Sequence, residues 1–145
     1  MKAISDSFTN LLKKMNISYR IVADSNNDKN TSDLIGITTI KGNSGLTYNI
    51  GLAIDDACVS ANIFLITDIP KTKYNMTLKL INKINSTYRW ITFYISKSNS
   101  LTAHIDGVLP IYDCSAGAEI CYELMIRLFK TVDETYPMFA KLLHE

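Results

Sequence analysis

The segment from Lys73 to Ser96, KYNMTLKLINKINSTYRWITFYIS, constrains the fold of this chain more than any other. Tyr74, Leu78, Ile81, Asn85 and Tyr88 recur at helical spacing, with Leu80 and Ile84 widening the stripe. Ile91, Phe93 and Ile95 then alternate with Trp90, Thr92 and Tyr94. The period changes from about 3.6 to about 2 within a few residues, with no glycine or proline between. A helix therefore runs directly into a strand and lies against a sheet. Nothing in the segment carries chemistry.

The flanking sequence supplies more strands. Ile4, Phe8, Leu11, Leu12 and Met15 make an apolar stripe, predicting a helix from about Ser5 to Met15. YRIVA, Tyr19 to Ala23, reads as a short strand, and Ser25 to Ser32 is a polar loop. Leu34 to Lys41 and Leu46 to Asp55 flank Gly42-Asn43-Ser44-Gly45. A four-residue loop there sets Ile37 opposite Ile50 and Ile35 opposite Leu52, so the apolar faces agree. After a turn at Asp55-Asp56-Ala57, Cys58 to Thr67 is the next strand, with Val59, Ala61, Ile63 and Leu65 facing the core. Asp68-Ile69-Pro70 opens the following helix.

Trp90 to Ser96 pairs with Leu101 to Val108. Matching their apolar faces requires a three-residue loop, read as Ser98 to Ser100, pairing Phe93 with Ile105 and Ile95 with Ala103. It needs a residue in the left-handed region, which Asn99 tolerates best. Leu109-Pro110-Ile111 breaks the sheet, and Ser115 reads as the N-cap of the last helix. The stripe of that helix is Ile120, Leu124, Leu128 and Val132, widened by Cys121, Met125 and Phe129; Pro137 is expected to kink or interrupt it. The order α-β(3-4)-α-β(2)-α, built on hairpins, predicts an α+β fold: an antiparallel sheet covered by helices. No linker or repeat divides residues 1–145, so the expectation is a single domain.

Composition narrows the function classes. A formal net charge of +1 offers no basic patch for nucleic acid or an anionic membrane. No stretch reaches the length of about 18 apolar residues needed to span a bilayer. The N-terminus lacks the unbroken apolar core of a signal peptide, so a cytoplasmic location is expected. Cys58, Cys114 and Cys121 form no CxxC pair and read as small buried hydrophobes.

No catalytic constellation emerges. His104 and Asp106, two apart on one strand face, could be an acid–base pair or half a metal site, or simply the polar face of an edge strand. Asp55-Asp56, with Asp68, could hold a metal, but paired aspartates are also common turn chemistry. The expectation is therefore no cofactor, no metal and no enzyme. The reverse of the sheet is more informative. If Ile91, Phe93 and Ile95 face the helices, then Trp90 and Tyr94 face away, and alternation adds Ile40, Phe64 and His104. Large apolar groups on a solvent face suggest a partner surface, unless another helix covers them.

The Lys73–Ser96 run, the strand ending in LPIYD, the Ser-capped helix and ETYPMFAKLL together resemble the YbjN-type bacterial domain, whose members are often labelled sensory transduction regulators. Asn82 or Asn85, Phe93 and Tyr136-Pro137-Met138-Phe139 are the matching positions. The fold of that family is similar to class I type III secretion chaperones, small α+β dimers that are typically acidic, whereas this chain is near neutral. The resemblance implies a non-catalytic, homodimeric binding module that holds an extended client segment on the sheet, with strand addition at an edge as a further option. Two other expectations stand beside it. One is a small-molecule sensor or cryptic enzyme with a pocket between the last helix and the sheet. The other is a structural or tail-like assembly subunit.

Overall fold

The computed structural model describes residues 2–23, 32–43, 45–55, 57–110 and 112–144; the side chains of Lys2, Thr39 and Ile40 also lie outside the description. The elements are α1 (Lys2–Lys14), β1 (Tyr19–Ala23), β2 (Asp33–Lys41), β3 (Thr47–Ile54), β4 (Cys58–Ile66), α2 (Tyr74–Thr87), β5 (Thr92–Ile95), β6 (Leu101–Val108) and α3 (Cys114–His144). The six strands form one antiparallel sheet in the order β1-β2-β3-β4-β6-β5. The α+β expectation holds.

One face of the sheet is the core. Ile35, Ile37, Ile50, Leu52, Ala61 and Ile63 are buried there, as period-two alternation requires. From the helices, Phe8, Leu12, Met125, Leu128 and Phe139 close over them. α1 ends at Asn16, whose φ of 56° allows Ile17 N–H to reach the Leu12 carbonyl and Asn16 N–H the Lys13 carbonyl, a Schellman closure.

Ile37 pairs with Ile50 and Ile35 with Leu52, as the hairpin parity demands. The loop is longer than four residues, because Lys41 pairs with Thr47, and a bulge between Ile37 and Ile40 restores the register. The β5–β6 hairpin has the expected parity but a different register. Phe93 pairs with Ala103 and Ile95 with Leu101, so the three-residue loop is Lys97–Asn99 and not Ser98–Ser100. Asn99 is indeed left-handed, with φ of 60°. A three-residue loop places that conformation at its last position, which fixes the loop two residues' worth of pairing away from the sequence reading. Asn99 Nδ2 also donates to the Ile69 carbonyl at 2.9 Å.

Other local readings are corrected. Pro70 precedes a 3-10 turn, Lys71–Lys73, and α2 proper begins at Tyr74. Its buried face is Thr77, Ile81 and Ile84, while Tyr74 is exposed. The α3 N-cap is Asp113, not Ser115: Asp113 Oδ1 accepts the Ala116 N–H at 3.0 Å. Pro137 does not interrupt α3, which continues to His144. The centre of the α3 stripe is Cys121, Met125, Leu128, Val132 and Phe139, with Ile120 and Leu124 only half-buried. Cys121 is buried and its thiol is pushed up to about 12 by desolvation, whereas Cys58 is exposed and does not fit the buried reading.

The helix-to-strand segment is locked by one side chain. Asn85 Oδ1 accepts the Phe93 N–H at 2.8 Å and Asn85 Nδ2 donates to the Phe93 carbonyl at 3.1 Å. An amide side chain thus takes the place of a neighbouring strand along the outer edge of β5. Asn85→Ala leaves both backbone groups without this partner. The expected cost is about 2 kcal/mol, read as a shift of the urea midpoint; a loss below about 0.5 kcal/mol would show that water substitutes fully.

Candidate functional site

The second face of the sheet carries no helix among the described residues. Arg20, Thr38, Asn49, Phe64, Thr92 and Tyr94 on it are exposed. Of the two readings the sequence left open, an uncovered face and a face covered by another helix, the fold takes the first.

The registers of all five strand pairings line up one residue from each strand across this face. Arg20 stands beside Gly36, Gly36 beside Gly51, Gly51 beside Asn62, Asn62 beside His104, and His104 beside Thr92. The paired glycines leave a depression, part of a groove of about 570 Å³ walled by Val22, Leu34, Thr38, Ala53 and Phe64. A glycine in a strand interior costs about 0.5–1 kcal/mol relative to alanine. Neither glycine has a positive φ. Among the described residues, a β-carbon on Gly51 would meet nothing within 4 Å beyond its chain neighbours, and one on Gly36 would make ordinary contacts with Arg20 and Val22 from 3.4 Å outward. The packing of this chain does not require glycine at either place.

At the other end of the row lies a polar network. His104 Nδ1 sits 2.5 Å from Asn62 Oδ1, and His104 Nε2 2.8 Å from Asp106 Oδ1. The Ser60 hydroxyl donates to the same Asp106 oxygen at 2.5 Å. The Ser60 hydrogen bond, and then His104, hold the Asp106 carboxyl below its ordinary value against some desolvation. The order is serine–aspartate–histidine: the hydroxyl faces a carboxylate held below its ordinary value, a weaker base than the imidazole that faces the hydroxyl in a serine–histidine–aspartate triad. β6 is flanked by β4 and β5 at His104, so the edge-strand reading of His104 is corrected. Asp55 serves its turn: its Oδ1 accepts the N–H groups of Ala57 and Cys58 at 3.0 and 2.8 Å. Asp56 lies outside the described residues.

The sequence-selected residues divide. Phe64, Tyr94 and His104 do share the open face, and Phe64 and Tyr94 flank Thr102 in register, which is fully buried. Trp90 does not join them. It lies in a turn before β5 begins, because β5 is only four residues long, and it lines a separate groove of about 600 Å³ between the end of β6 and α3. Val108, Ile120 and Leu124 line that groove too. The Ile40 side chain lies outside the described residues, and the bulge before it breaks the alternation that assigned its face. Arg20, Gly36, Gly51 and Asn62 were not singled out from sequence. Their signal was present, since the hairpin parity that pairs Ile37 with Ile50 also sets Gly36 against Gly51.

Comparison with solved structures finds this architecture in YbjN of E. coli, a protein put forward as a transcription regulator. The two superpose with a TM-score of 0.58 at 10% identity, over 94% of this chain and 90% of that one. The chain has a YbjN-like fold. No family model matches it, and no curated protein matches it. Among the described residues, no helix is long and apolar enough to cross a membrane.

Proposed function

We propose that this YbjN-like chain is a non-catalytic protein-binding module, chaperone-like or regulatory, that acts as a homodimer in the cytoplasm and holds a partner segment on the open face of its sheet. One observation carries the reading. Phe64 is 59% exposed beside the glycine-floored groove, on a face that no helix covers among the described residues. Exposed apolar surface of this kind most often marks a partner. The polar network beside it can orient a bound group.

The test is capture of partners from the source organism by wild-type and Phe64→Asp protein, compared by quantitative mass spectrometry. Phe64→Asp is expected to fold with an unchanged melting temperature and to lose the specific partner by about tenfold or more. Equal capture by both proteins would refute the face as the binding surface. Sedimentation showing a monomer at all concentrations would refute the dimer.

A second reading has its own observation: the groove between β6 and α3, where a small-molecule pocket was expected. Its walls are Trp90, Ile105, Val108, Ile120 and Leu124, with Asp106, Glu123 and Arg127 at the rim. A sensor would quench or shift Trp90 fluorescence on binding its ligand, and Leu124→Trp would abolish that response.

A further inference from the structure

The Gly36–Gly51 pair points to what lies on the open face. Resting on the reading of that face as a protein-binding surface, we infer that the lane Arg20–Gly36–Gly51–Asn62 is the seat of an extended, acidic partner segment that crosses the strands with its backbone against Gly51, beside the Arg20 side chain that lies over Gly36.

The argument begins with an absence of internal cause. Glycine inside a strand weakens it and marks a bulge, a bend, or a close approach by another group. Gly36 and Gly51 lie in regular, unshifted pairing, with Ile35↔Leu52 and Ile37↔Ile50 on either side. Beyond its chain neighbours, no atom of a described residue comes within 4 Å of a β-carbon on Gly51. Bulge, bend and contact with a described residue are therefore excluded at Gly51. The floor there is open to approach from outside.

The lane also selects the shape of its occupant. Its walls on β2 are Leu34 and Thr38, four residues apart and so about 13 Å between backbones. Their side chains narrow the clear width further. A helix with its side chains is about 10–12 Å across, too wide to reach the glycine floor. An extended chain lying flat fits.

Charge selects the chemistry. Arg20, at one end of the lane, is exposed and takes part in no ion pair among the described residues. Its guanidinium offers a planar, two-pronged donor matched to a carboxylate. From Arg20 to Asn62 the lane crosses three strand spacings, about 14 Å, which is about four residues of extended chain. Asn62 then meets the backbone or an amide of the segment, and Phe64 beside it meets an apolar side chain. The segment therefore carries an acidic residue and, about four positions away, an apolar or aromatic one.

A displayed library of random peptides, panned against the full chain, supplies the probe, and the affinity of each enriched peptide is measured by fluorescence anisotropy. Enriched peptides are expected to carry the acidic and apolar pair at that spacing. Their affinity is expected to fall about tenfold or more for Gly51→Val, which fills the lane, and for Arg20→Glu, which reverses its charge. Gly51→Val is expected to melt at or above the wild-type temperature, since valine favours strands and its β-carbon would stand in open space among the described residues. A clear fall in melting temperature would give the glycine an internal role and overturn the inference. So would an absence of enriched peptides, or enriched peptides with no acidic residue. Peptides lost on Phe64→Asp but unaffected by Gly51→Val would overturn the lane while leaving the open face as a binding surface. Peptides unaffected by all three substitutions would overturn both.

Discussion

Phe93→Ala should cost about 3–5 kcal/mol, a large share of the about 5–15 kcal/mol that holds a domain folded. Phe93 is 1% exposed, and its ring stacks on Phe139 with centroids 5.6 Å apart and an interplanar angle of 30°. That contact joins the shortest strand of the sheet to the last turns of α3. β5 has only β6 along one side and the Asn85 amide along the other, so the ring beneath it is its principal anchor. Removing the ring opens a cavity that neither the strand nor the helix can close without giving up its own partners. Urea unfolding followed by far-ultraviolet circular dichroism measures the loss. Phe139→Ala should cost a similar amount. The double variant should lose less than the sum, because the two rings share one contact. A loss below about 1 kcal/mol for Phe93→Ala would mean that β5 is held mainly by its backbone.

Gly42→Ala should destabilise by about 2–4 kcal/mol, although it adds one methyl group to a turn. A β-carbon there would lie 2.0 Å from Asp133 Oδ1 and 2.5 Å from Asp133 Cγ. The carboxylate is the clasp between α3 and the β2–β3 hairpin. Its Oδ2 accepts the Asn43 N–H at 2.7 Å and its Oδ1 accepts the Tyr48 hydroxyl at 3.0 Å. Tyr48 is 5% exposed and sits edge-on to both Phe129 and Tyr136. Pushing the carboxylate aside breaks both charge-assisted bonds and leaves a buried hydroxyl short of its acceptor. The expected fall in melting temperature is roughly 5–10 °C. Asp133→Asn separates the two causes, since it keeps the volume and removes the charge; it should lose about half as much. A melting temperature for Gly42→Ala within about 1 °C of wild type would show that the hairpin tip moves away without cost.

Much of the fold was legible because alternation and parity are local rules with few solutions. Parity required Ile35, Ile37, Ile50 and Leu52 to share one face, and they do, with Ile35 against Leu52 and Ile37 against Ile50. The need for a left-handed residue at Asn99 followed from the same parity. The rule is periodic in two residues, however, so it could not tell loop Ser98–Ser100 from loop Lys97–Asn99. The α3 cap is not legible in the sequence, because Asp113 and Ser115 both have side chains suited to the place and only the chain path decides where the helix begins. Trp90 leaves the open face because β5 starts only at Thr92, so strand alternation does not extend back to it.

The sequence by itself determined the buried face of the central strands, that helices cover one side of an antiparallel sheet, and that Phe64 and Tyr94 lie on the other side. These are consequences of spacing along the chain. Only the tertiary structure decided that no described helix covers that other side, and that Trp90 belongs to a different groove. It alone brought Arg20, Gly36, Gly51, Asn62 and His104 into one row, because strand order and the relative slide of five strand pairs are settled by side chains distant in sequence. A glycine is silent in a hydrophobic pattern. Its meaning appears only when its neighbours across the sheet are known, and at Gly51 they leave a space that no described residue fills.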